Sequence, residues 1–260
     1  MIYKCDENQR EELMNFLYQE PSLNLFAIGD IETYGFDHFD LDVWVYVDSK
    51  DEIIGVLIRY KENVIPIHGT EFEGLDTFIP LIQSLDPLHI SGSEEVIAQY
   101  EEEFEKYEKE ETYLAECKEL KMESPLMDQV ISLDKEDIDV YLNCLKEVGF
   151  EKKQTIEEIT NEMDNDLNTI KVIKDESGKI VSTGRIAIET NLSAMIIAVG
   201  TIESYRNKGY ATAIVAALVN DCIAKNKTTC LFYSDPDAGR LYQHLGFKET
   251  HKWIMLKNEE

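Results

Sequence analysis

Long apolar runs are missing from this sequence of 260 residues. No stretch approaches the roughly 20 apolar residues that a membrane-spanning helix needs, and residues 1–7 lack the apolar core of a signal peptide.

Closely spaced cysteine pairs are missing as well. The cysteines are odd in number, are widely spaced and form no C-x-x-C pattern, so we interpret them as reduced thiols in a cytoplasmic protein. They are Cys5, Cys117, Cys144, Cys222 and Cys230.

Motifs for metal binding are also absent. The histidines do not cluster, and the sequence contains no H-E-x-x-H motif, no zinc-ligand spacing and no Walker loop. We therefore predict that the protein binds no metal. The spacing of Ser, Cys, His and Asp residues supports no catalytic triad either. The histidines are His38, His68, His89, His244 and His251.

Positive charge is scarce. The chain has 25 Lys and Arg against 52 Asp and Glu, which gives a formal net charge of −27. Nucleic acids and anionic membranes both bind basic surfaces, so this acidity argues against either partner. It is compatible with a basic or amine substrate, although an acidic surface often serves solubility alone. The hydrophobic content of 43% is ample for the core of one large or two small domains.

One segment departs from this acidity. Residues 185–257 contain nine basic and six acidic residues, a net charge of +3, so the other residues carry −30. A phosphorylated ligand would explain a neutral-to-basic segment in such an acidic chain, and chance variation in surface charge is the alternative.

The first half predicts two helices, an antiparallel meander and a third helix. The predicted elements are helices over residues 8–18 and 23–34, strands over 42–48, 53–60 and 63–67, and a helix over 72–84. Pro80 should kink or end that last helix. The strongly charged residues 94–123 predict a solvated helix with a single apolar stripe. The stripe consists of Ile97, Tyr100, Phe104 and Tyr107.

The second half repeats the same order of elements. The predicted elements are a helix over residues 134–148, a helix that starts at Thr155, and a hairpin over 169–174 and 179–188. Strands that alternate with helices follow the hairpin. Thr155 and Glu158 form a capping-box pattern. The turns at Asp48 and Asp175 have equal internal spacing and lie 127 residues apart, which indicates a duplication. With Ser124-Pro125 as the linker, we predict domains at residues 1–123 and 124–260.

Residues 206–211 read Arg-Asn-Lys-Gly-Tyr-Ala and join a predicted buried strand to a predicted helix over 211–224. Such a junction binds phosphate because the unpaired N–H groups of the first helical turn point at the anion. The helix dipole also favours negative charge there. Gly209 lets the backbone approach a ligand closely, and Arg206 and Lys208 add positive charge.

The first half lacks this feature. The corresponding stretch, from His68 to Gly74, contains two glutamates and no basic residue. An anion is not favoured there, so we expect no cofactor site in the first half.

The residues after the loop extend the pattern. Residues 228–233 predict a strand, and Asp235 as N-cap with Pro236 at the first helical position predicts a helix that ends at Gly246. The whole arrangement resembles the GNAT superfamily of acyl-CoA-dependent N-acetyltransferases. The family loop [Q/R]-x-x-G-x-[G/A] matches at Arg206, Gly209 and Ala211. The later family motif N-x-x-A-x-x-x-Y-x-x-x-G-F matches at Ala238, Tyr242, Gly246 and Phe247, with Asp235 where Asn is usual.

This resemblance covers residues 193–250 by motif and 125–260 by element order. It implies an α+β GNAT fold, with a mixed and mostly antiparallel sheet flanked by helices. The first half resembles a degenerate copy, as in tandem GNAT proteins.

The resemblance also implies that acetyl-CoA is the co-substrate. Its pyrophosphate would lie on the N–H groups of the loop beside Arg206, and its pantetheine arm between two strands that splay apart in this family. A backbone N–H near Val199 would polarise the thioester carbonyl. The implied loop residues are Asn207, Lys208, Gly209, Tyr210 and Ala211, and the implied strand residues are Val199, Gly200 and Thr201.

The implied reaction is direct attack of a neutral amine on the thioester in a ternary complex. Tyr242 stands at the family position of the proton donor, and its alternative role is packing against the sheet. We name no general base, because Met195 stands where some members carry Glu. Glu189 and Glu203 are the nearest acids and are expected at the surface, and a water chain could replace a base.

Asp235 would repel a ligand with about four negative charges unless it faced the helix N-terminus, so we expect it to cap that helix.

Taken together, the motifs and the resemblance predict acetylation of a primary amine of a small molecule. Two alternatives stay open. The missing strand carboxylate and Asp235 favour a non-catalytic acyl-CoA-binding or interaction module, and a protein N-acetyltransferase would share the same motifs.

Overall fold

The computed structural model describes residues 1–150, 154–165 and 168–258. The chain divides into two units, Met1–Leu114 with Thr250–Glu260, and Ala115–Glu249. In chain order, the helices and strands are β1 (Ile2–Lys4), α1 (Arg10–Leu17), α2 (Leu25–Tyr34), β2 (Leu41–Val47), β3 (Ile53–Tyr60), β4 (Asn63–His68), α3 (Leu75–Leu85), β5 (His89–Ser93), α4 (Glu94–Ile97), β6 (Glu108–Cys117), β7 (Ile131–Ser132), α5 (Ile138–Glu147), α6 (Ile156–Asp164), β8 (Thr169–Lys174), β9 (Ile180–Glu189), β10 (Ser193–Thr201), α7 (Tyr210–Ala224), β11 (Thr228–Tyr233), α8 (Pro236–Leu245) and β12 (Lys248–Lys257).

The first unit is built on a sheet with the strand order β1-β2-β3-β4-β5-β12. Its neighbouring strands are antiparallel except β4 and β5, which are parallel. In β2 the residues alternate between fully and partly buried, as the sequence predicts for a strand with one core face. Phe78 and Ile82 of α3 are completely buried against the sheet, so the apolar stripe of this helix covers one face of the core.

From Thr250 onward the last strand of the chain, β12, belongs to the first unit, where it pairs antiparallel with β5 from Trp253↔Ser93 to Lys257↔His89. The observed division therefore differs from the linear prediction of 1–123 and 124–260. The first boundary between the units lies between Leu114 and Ala115, inside β6, and residues 250–260 belong to the first unit again. Sequence order does not determine strand pairing, so a linker search along the sequence cannot detect such an exchange.

The second unit is built on a sheet with the order β7-β8-β9-β10-β11, in which β10 and β11 are parallel and the other pairs antiparallel. Helices cover both faces. Ile173 packs in the cluster that contains α7 residues such as Leu218. The preceding residue, Val172, packs with Tyr141 of α5. Since successive strand residues point to opposite faces, α5 and α7 lie on opposite sides of this sheet.

The two units share one order of elements. In the first, β2, β3 and β4 form an antiparallel meander that leads through α3 to the parallel strand β5 and then to α4. In the second, β8, β9 and β10 lead in the same way through α7 to β11 and α8. This repetition supports the duplication inferred from the two hairpins, and the fold is the predicted mixed, mostly antiparallel sheet flanked by helices.

Local sequence rules explain several boundaries. Thr155 caps α6 in a full capping box, because its Oγ1 accepts from the Glu158 N–H (3.2 Å) while the Thr155 N–H donates to Glu158 Oε2 (2.7 Å). Gly149 follows α5 with a φ of +93°, the left-handed conformation that glycine adopts freely at helix ends. Both features confirm predictions made from residue type and spacing alone.

The predicted helix over residues 94–123 is wrong. Only α4 and a 3-10 turn at Glu101–Phe104 are helical, and residues from Glu108 form β6. The apolar stripe is nevertheless buried, since Ile97, Tyr100 and Phe104 are at most 6% exposed. Lys109 of β6 forms an ion pair with Glu101 of the 3-10 turn at 2.8 Å and also approaches Glu111 of the same strand. These ion pairs accompany a charged strand that local propensity does not favour.

Pro80 does not end α3, which continues to Leu85. A proline inside a helix removes one hydrogen bond at a cost of about 3 kcal/mol. Complete burial of Phe78 and Ile82 on either side of it offsets that loss, since burying one such side chain contributes about 1.5–3 kcal/mol.

No helix within the described residues is long and apolar enough to cross a membrane. The five cysteines all lie within the described residues, where they are buried and form no disulfide, as expected for reduced thiols.

Gly246 sets the end of α8, and we predict that Gly246→Ala is markedly destabilising. Its φ is +118°, and an added Cβ would lie 2.7 Å from the Glu119 carbonyl oxygen. Gly178 is the matched control, since its φ is +86° but its surroundings are open. Urea unfolding should show a loss of about 3 kcal/mol for Gly246→Ala and of about 1 kcal/mol for Gly178→Ala. Equal losses would contradict the role of the Glu119 contact.

Candidate functional site

The cleft of the second unit begins where two parallel strands stop pairing. β10 and β11 are paired from Ser193↔Thr228 to Ile196↔Leu231. Both strands continue beyond these positions, to Thr201 and Tyr233, without further paired residues among those described. Strands that part in this way leave backbone groups available to a ligand between them.

A β-bulge lies in β10 where the strands part. Ile197 pairs with Arg185 and Gly200 pairs with Thr183, so Ala198 and Val199 together oppose a single residue of β9. Ala198 has a φ of +53°, a left-handed conformation that costs a non-glycine residue about 1–3 kcal/mol. Bulges of this kind redirect a strand next to active sites. The sequence contains no signal for this bulge, because Ala is not a residue that favours left-handed backbone.

The loop after β10 leads into an uncapped helix. Asn207 and Gly209 have φ values of +61° and +83°, so two left-handed residues turn the backbone into α7. Gly209 is the N-cap and no side chain caps the helix, which leaves the N–H groups of the first turn open to an outside acceptor. An open helix N-terminus of this kind is what residues 206–211 predict, and anion binding there stays a prediction.

The two basic side chains of the loop have different positions. Arg206 Nε donates to the Thr201 carbonyl oxygen at 3.1 Å, which braces the loop against the end of β10. Lys208 Nζ lies 4.8 Å from the centre of the Tyr205 ring, and the Tyr205 hydroxyl donates to Asp175 Oδ2 at 2.6 Å. Lys208 therefore stacks on Tyr205 without lining the cleft itself, and it adds only long-range positive charge there.

The cleft has a volume of about 630 Å³. Of the eleven residues predicted for the site, ten line it and Lys208 does not. The ten are Val199, Gly200, Thr201, Arg206, Asn207, Gly209, Tyr210, Ala211, Asp235 and Tyr242. Six further lining residues, Val148, Tyr205, Thr212, Asp237, Ala238 and Leu241, were not predicted.

Some of these missed residues carried a signal. Ala238 lies three positions before Leu241 and four before Tyr242, so it shares a face of α8 with each of them. Thr212 lies within the first turn of α7. Val148 follows α5 and approaches Gly200, where an added Cβ would meet its side chain at 2.8 Å. That contact is long-range, and sequence spacing does not reveal it.

Tyr242 reaches the cleft from α8 and is only 8% exposed. Its ring packs against Tyr233 and Phe247, with centroid separations of 5.6 and 5.7 Å. Burial, with a smaller effect of the Asp235 carboxylate, raises the pKa of the Tyr242 hydroxyl to about 12. The phenol is therefore protonated at neutral pH and can donate a hydrogen bond into the cleft.

Asp235 caps α8 as expected. Its side chain accepts from the Asp237 N–H at 2.8 Å, and Pro236 occupies the first helical position. Asp235 also lines the cleft, so its carboxylate faces any anion bound there while the helix N-terminus partly neutralises it.

The acids next to the strand are not placed to act as a base. Glu189 is ion-paired with Lys225 (2.8 Å) and Lys227 (2.7 Å), and Glu203 is exposed in the turn before the loop. Met195 is buried in β10. Among the described residues that line the cleft, the only carboxylates belong to Asp235 and Asp237.

No group of three or more His, Cys, Asp and Glu side chains within the described residues could hold a metal ion.

Comparison with known proteins agrees with this geometry. The model of the family described as GNAT acetyltransferase matches residues 91–256, which is more than half of the chain. The chain belongs to the GNAT acetyltransferase family. No functionally curated protein matches its sequence.

Solved structures of GNAT proteins share the fold across nearly the whole chain. A GCN5-related N-acetyltransferase from Sphaerobacter thermophilus is 15% identical, with a TM-score of 0.64 over 99% of this chain and 95% of its own. A tandem GNAT protein from the clavulanic acid biosynthesis pathway is 12% identical, with a TM-score of 0.61 over 99% and 98%. A GCN5-related N-acetyltransferase-like protein from Streptococcus suis is 17% identical, with a TM-score of 0.56 over 96% and 99%. At these identities the likeness shows the fold alone.

The cap at Asp235 gives a stability prediction for this GNAT protein. Asp235→Ala should lower the free energy of unfolding by about 1 kcal/mol, because the N–H of Asp237 loses its acceptor. Asp235→Asn is the matched control. It keeps an acceptor oxygen and should stay within a few tenths of a kcal/mol of the wild type. Urea unfolding followed by circular dichroism would measure both, and equal losses would mean that Asp235 is not a cap.

Proposed function

We propose that the second unit binds acetyl-CoA in the cleft and transfers the acetyl group to a primary amine of a small molecule. The observation that carries this proposal is the uncapped N-terminus of α7, which opens onto the same cleft as the Tyr242 hydroxyl. Membership of the GNAT acetyltransferase family supports acyl transfer as the type of reaction.

The loop suits a diphosphate. The N–H groups from Asn207 to Ala211 would bind its oxygens, and the left-handed φ of Gly209 presents backbone without a side chain in the way. Arg206 supplies a full positive charge on the cleft wall. The volume of about 630 Å³ falls in the range of about 300–1,000 Å³ that is usual for small-molecule sites.

The gap between the unpaired ends of β10 and β11 suits the pantetheine arm. Beyond Ile196 and Leu231 the two strands no longer satisfy each other's backbone groups, and an amide-rich chain can pair with them. The backbone at Val199 and Thr201 would hold the arm. The bulge at Ala198 would direct a backbone N–H near Val199 toward the thioester carbonyl, where negative charge develops during attack.

The chemistry is nucleophilic substitution at the thioester. The lone pair of the neutral amine forms a bond to the carbonyl carbon, and the C–S bond then breaks with its electron pair going to sulfur. Tyr242 would donate a hydrogen bond or its proton to that sulfur as it leaves. The nitrogen gives up one proton, and since no carboxylate of β10 is available, water in the cleft would carry this proton to solvent.

Two other functions compete with this proposal, and specific observations favour the first of them. The absence of a carboxylate on β10 and the presence of Asp235 at the cleft favour a module that binds acyl-CoA without turnover. A protein N-acetyltransferase would use the same cleft with a peptide acceptor. A screen with small amines, amino acids and peptides, read out as CoA thiol release, separates these three functions.

Tyr242→Phe should lower kcat about 100-fold, because the ring keeps its packing while the proton donor is lost. The affinity for CoA should stay within about twofold, since the hydroxyl is placed at the sulfur and not at the diphosphate. Thiol release measures kcat, and calorimetry measures CoA affinity. An unchanged kcat would remove Tyr242 from catalysis. If no amine supports turnover while CoA binds, the non-catalytic alternative is correct.

The pH profile offers a second test. Because the pKa of Tyr242 is raised to about 12, its proton is present below that pH and is lost only as pH rises through it. The rate should therefore increase with pH as the amine substrate deprotonates, with no decrease from Tyr242 up to about pH 10. A decrease that begins near pH 8 and disappears in Tyr242→Phe would contradict the assigned pKa shift.

Arg206→Gln should weaken CoA binding about fivefold to tenfold at low salt, because a positive charge beside the diphosphate is lost. Lys248→Gln is the matched control. It removes the same charge from an exposed residue of the second unit that does not line the cleft. Calorimetric titration with CoA at two salt concentrations would measure both effects. Equal weakening in the two variants would mean that net charge, and not Arg206, attracts the ligand.

A further inference from the structure

The first unit contains a pocket of its own, at the place where its two parallel strands part. β4 and β5 are paired only at Asn63↔His89 and Val64↔Ile90 among the described residues. Beyond these positions the two strands no longer pair with each other, and their ends line a cavity of about 150 Å³. The segment between α1 and α2 and the β12 residues His251 and Trp253 complete its walls.

His68 forms a buried and neutral part of this wall. Its Nδ1 lies 2.7 Å from the Gly69 carbonyl oxygen, which can only accept, so Nδ1 carries the proton. Its Nε2 lies 2.7 Å from the Tyr100 hydroxyl and accepts from it. Burial lowers the pKa of His68. This ring therefore has no nitrogen left for a ligand, and it adds no charge to the pocket.

The charged groups that line the pocket are all acidic. Glu20 and Glu95 contribute carboxylates, and no Lys or Arg among the described residues lines it. The nearest basic residue of β12, Lys252, is paired with Glu94 at 3.0 Å. The first unit as a whole has nine Lys and Arg against 29 Asp and Glu, a net charge of −20. Such a field concentrates cations and repels anions.

An unpaired acceptor lies in the same wall. His251 Nδ1 is buried and has no hydrogen-bond partner within the described part of the chain, while Nε2 of the same ring faces Glu20 Oε1 at 3.8 Å. With the ring proton on Nε2 toward the carboxylate, Nδ1 presents a lone pair. Nδ1 is enclosed by protein, so His251 contributes to the pocket through its Nε2 side, which faces the Glu20 carboxylate on the pocket wall.

The apolar part of the pocket is aromatic and aliphatic. Trp253 is 6% exposed and lines the pocket, and an indole face attracts a cation within about 6 Å more strongly than any other side chain ring. Ile65, Ile67 and Val96 add aliphatic surface. A cavity of about 150 Å³ has room for a benzene-sized body.

We propose that the first unit binds a small organic cation, namely a protonated amine on a compact apolar body of roughly seven heavy atoms. The ammonium group pairs with the carboxylates of Glu20 and Glu95, and the body packs on Trp253. The site has no phosphate-binding loop, because Glu71 and Glu73 precede α3 where Arg206 and Lys208 precede α7. None of its lining residues lines the acetyl-transfer cleft, and binding to it does not depend on catalysis.

Tryptophan fluorescence tests this site directly. The chain has two tryptophans, so Trp44→Phe leaves Trp253 as the only one. Cyclohexylammonium should change its emission with a saturable Kd in the millimolar range or below, and cyclohexanol should bind at least tenfold more weakly. Cyclohexanecarboxylate should not bind. Equal binding of amine and alcohol, or no saturable change with the amine, would overturn the proposal.

Charge variants locate the binding site. In the Trp44→Phe background, Glu20→Gln with Glu95→Gln should weaken cyclohexylammonium binding about tenfold. Glu11→Gln is the control, because it removes the same charge from an exposed α1 residue that does not line the pocket. Arg206→Gln and Tyr242→Phe should leave the Trp253 titration unchanged. Equal weakening by Glu11→Gln, or loss of the signal in the cleft variants, would contradict a site in the first unit.

Discussion

The functional cleft depends on where two parallel strands stop pairing. β10 and β11 are paired over four positions and then part. Just beyond the last of these positions, the bulge at Ala198 interrupts the pairing of β10 with its other neighbour, β9. Backbone groups that a regular sheet would satisfy internally become available to a ligand. The helix that follows has no side-chain cap, so its N–H groups are available as well. The proposed acetyl-CoA site is therefore built largely from main chain, and in that proposal Arg206 adds a positive charge and Tyr242 a proton donor.

In both units a parallel strand pair parts to leave a cavity, but the two cavities differ in size and in the charge of the neighbouring loop. In the first unit the parallel pairing is limited to two positions, and the loop before α3 is acidic. In the second it extends over four positions and the loop is basic. The larger cleft suits a long phosphorylated co-substrate, and the smaller pocket suits a compact cation. A duplicated fold has thus kept its geometry in both copies, while the charge of one loop separates the two proposed ligands.

Features set by short-range chemistry could be predicted from the sequence. The capping box at Thr155, the N-cap at Asp235 and the hairpin at residues 169–189 all depend on neighbours within a few positions. Ten of the eleven predicted site residues line one cleft for the same reason, because loop, strand end and helix are consecutive or match family spacing.

Features set by distant contacts could not be predicted. β6 is a strand despite its charge, Ala198 is left-handed without glycine, and β12 pairs with β5 far back in the chain. Val148 reaches the cleft only through its packing on Gly200. In each case tertiary pairing outweighs local propensity, and the free energy that decides the outcome comes from residues that a local pattern does not include.

The central proposal is that the main-chain amides at the start of α7 bind a diphosphate. The most direct measurement is an amide nuclear magnetic resonance titration of the isotope-labelled protein with CoA and, in parallel, with pantetheine, which lacks the diphosphate. We expect CoA to shift the amide signals of Gly209, Tyr210 and Ala211 and to bind at least tenfold more tightly than pantetheine. Equal affinities, or CoA binding without shifts at these three amides, would contradict the account.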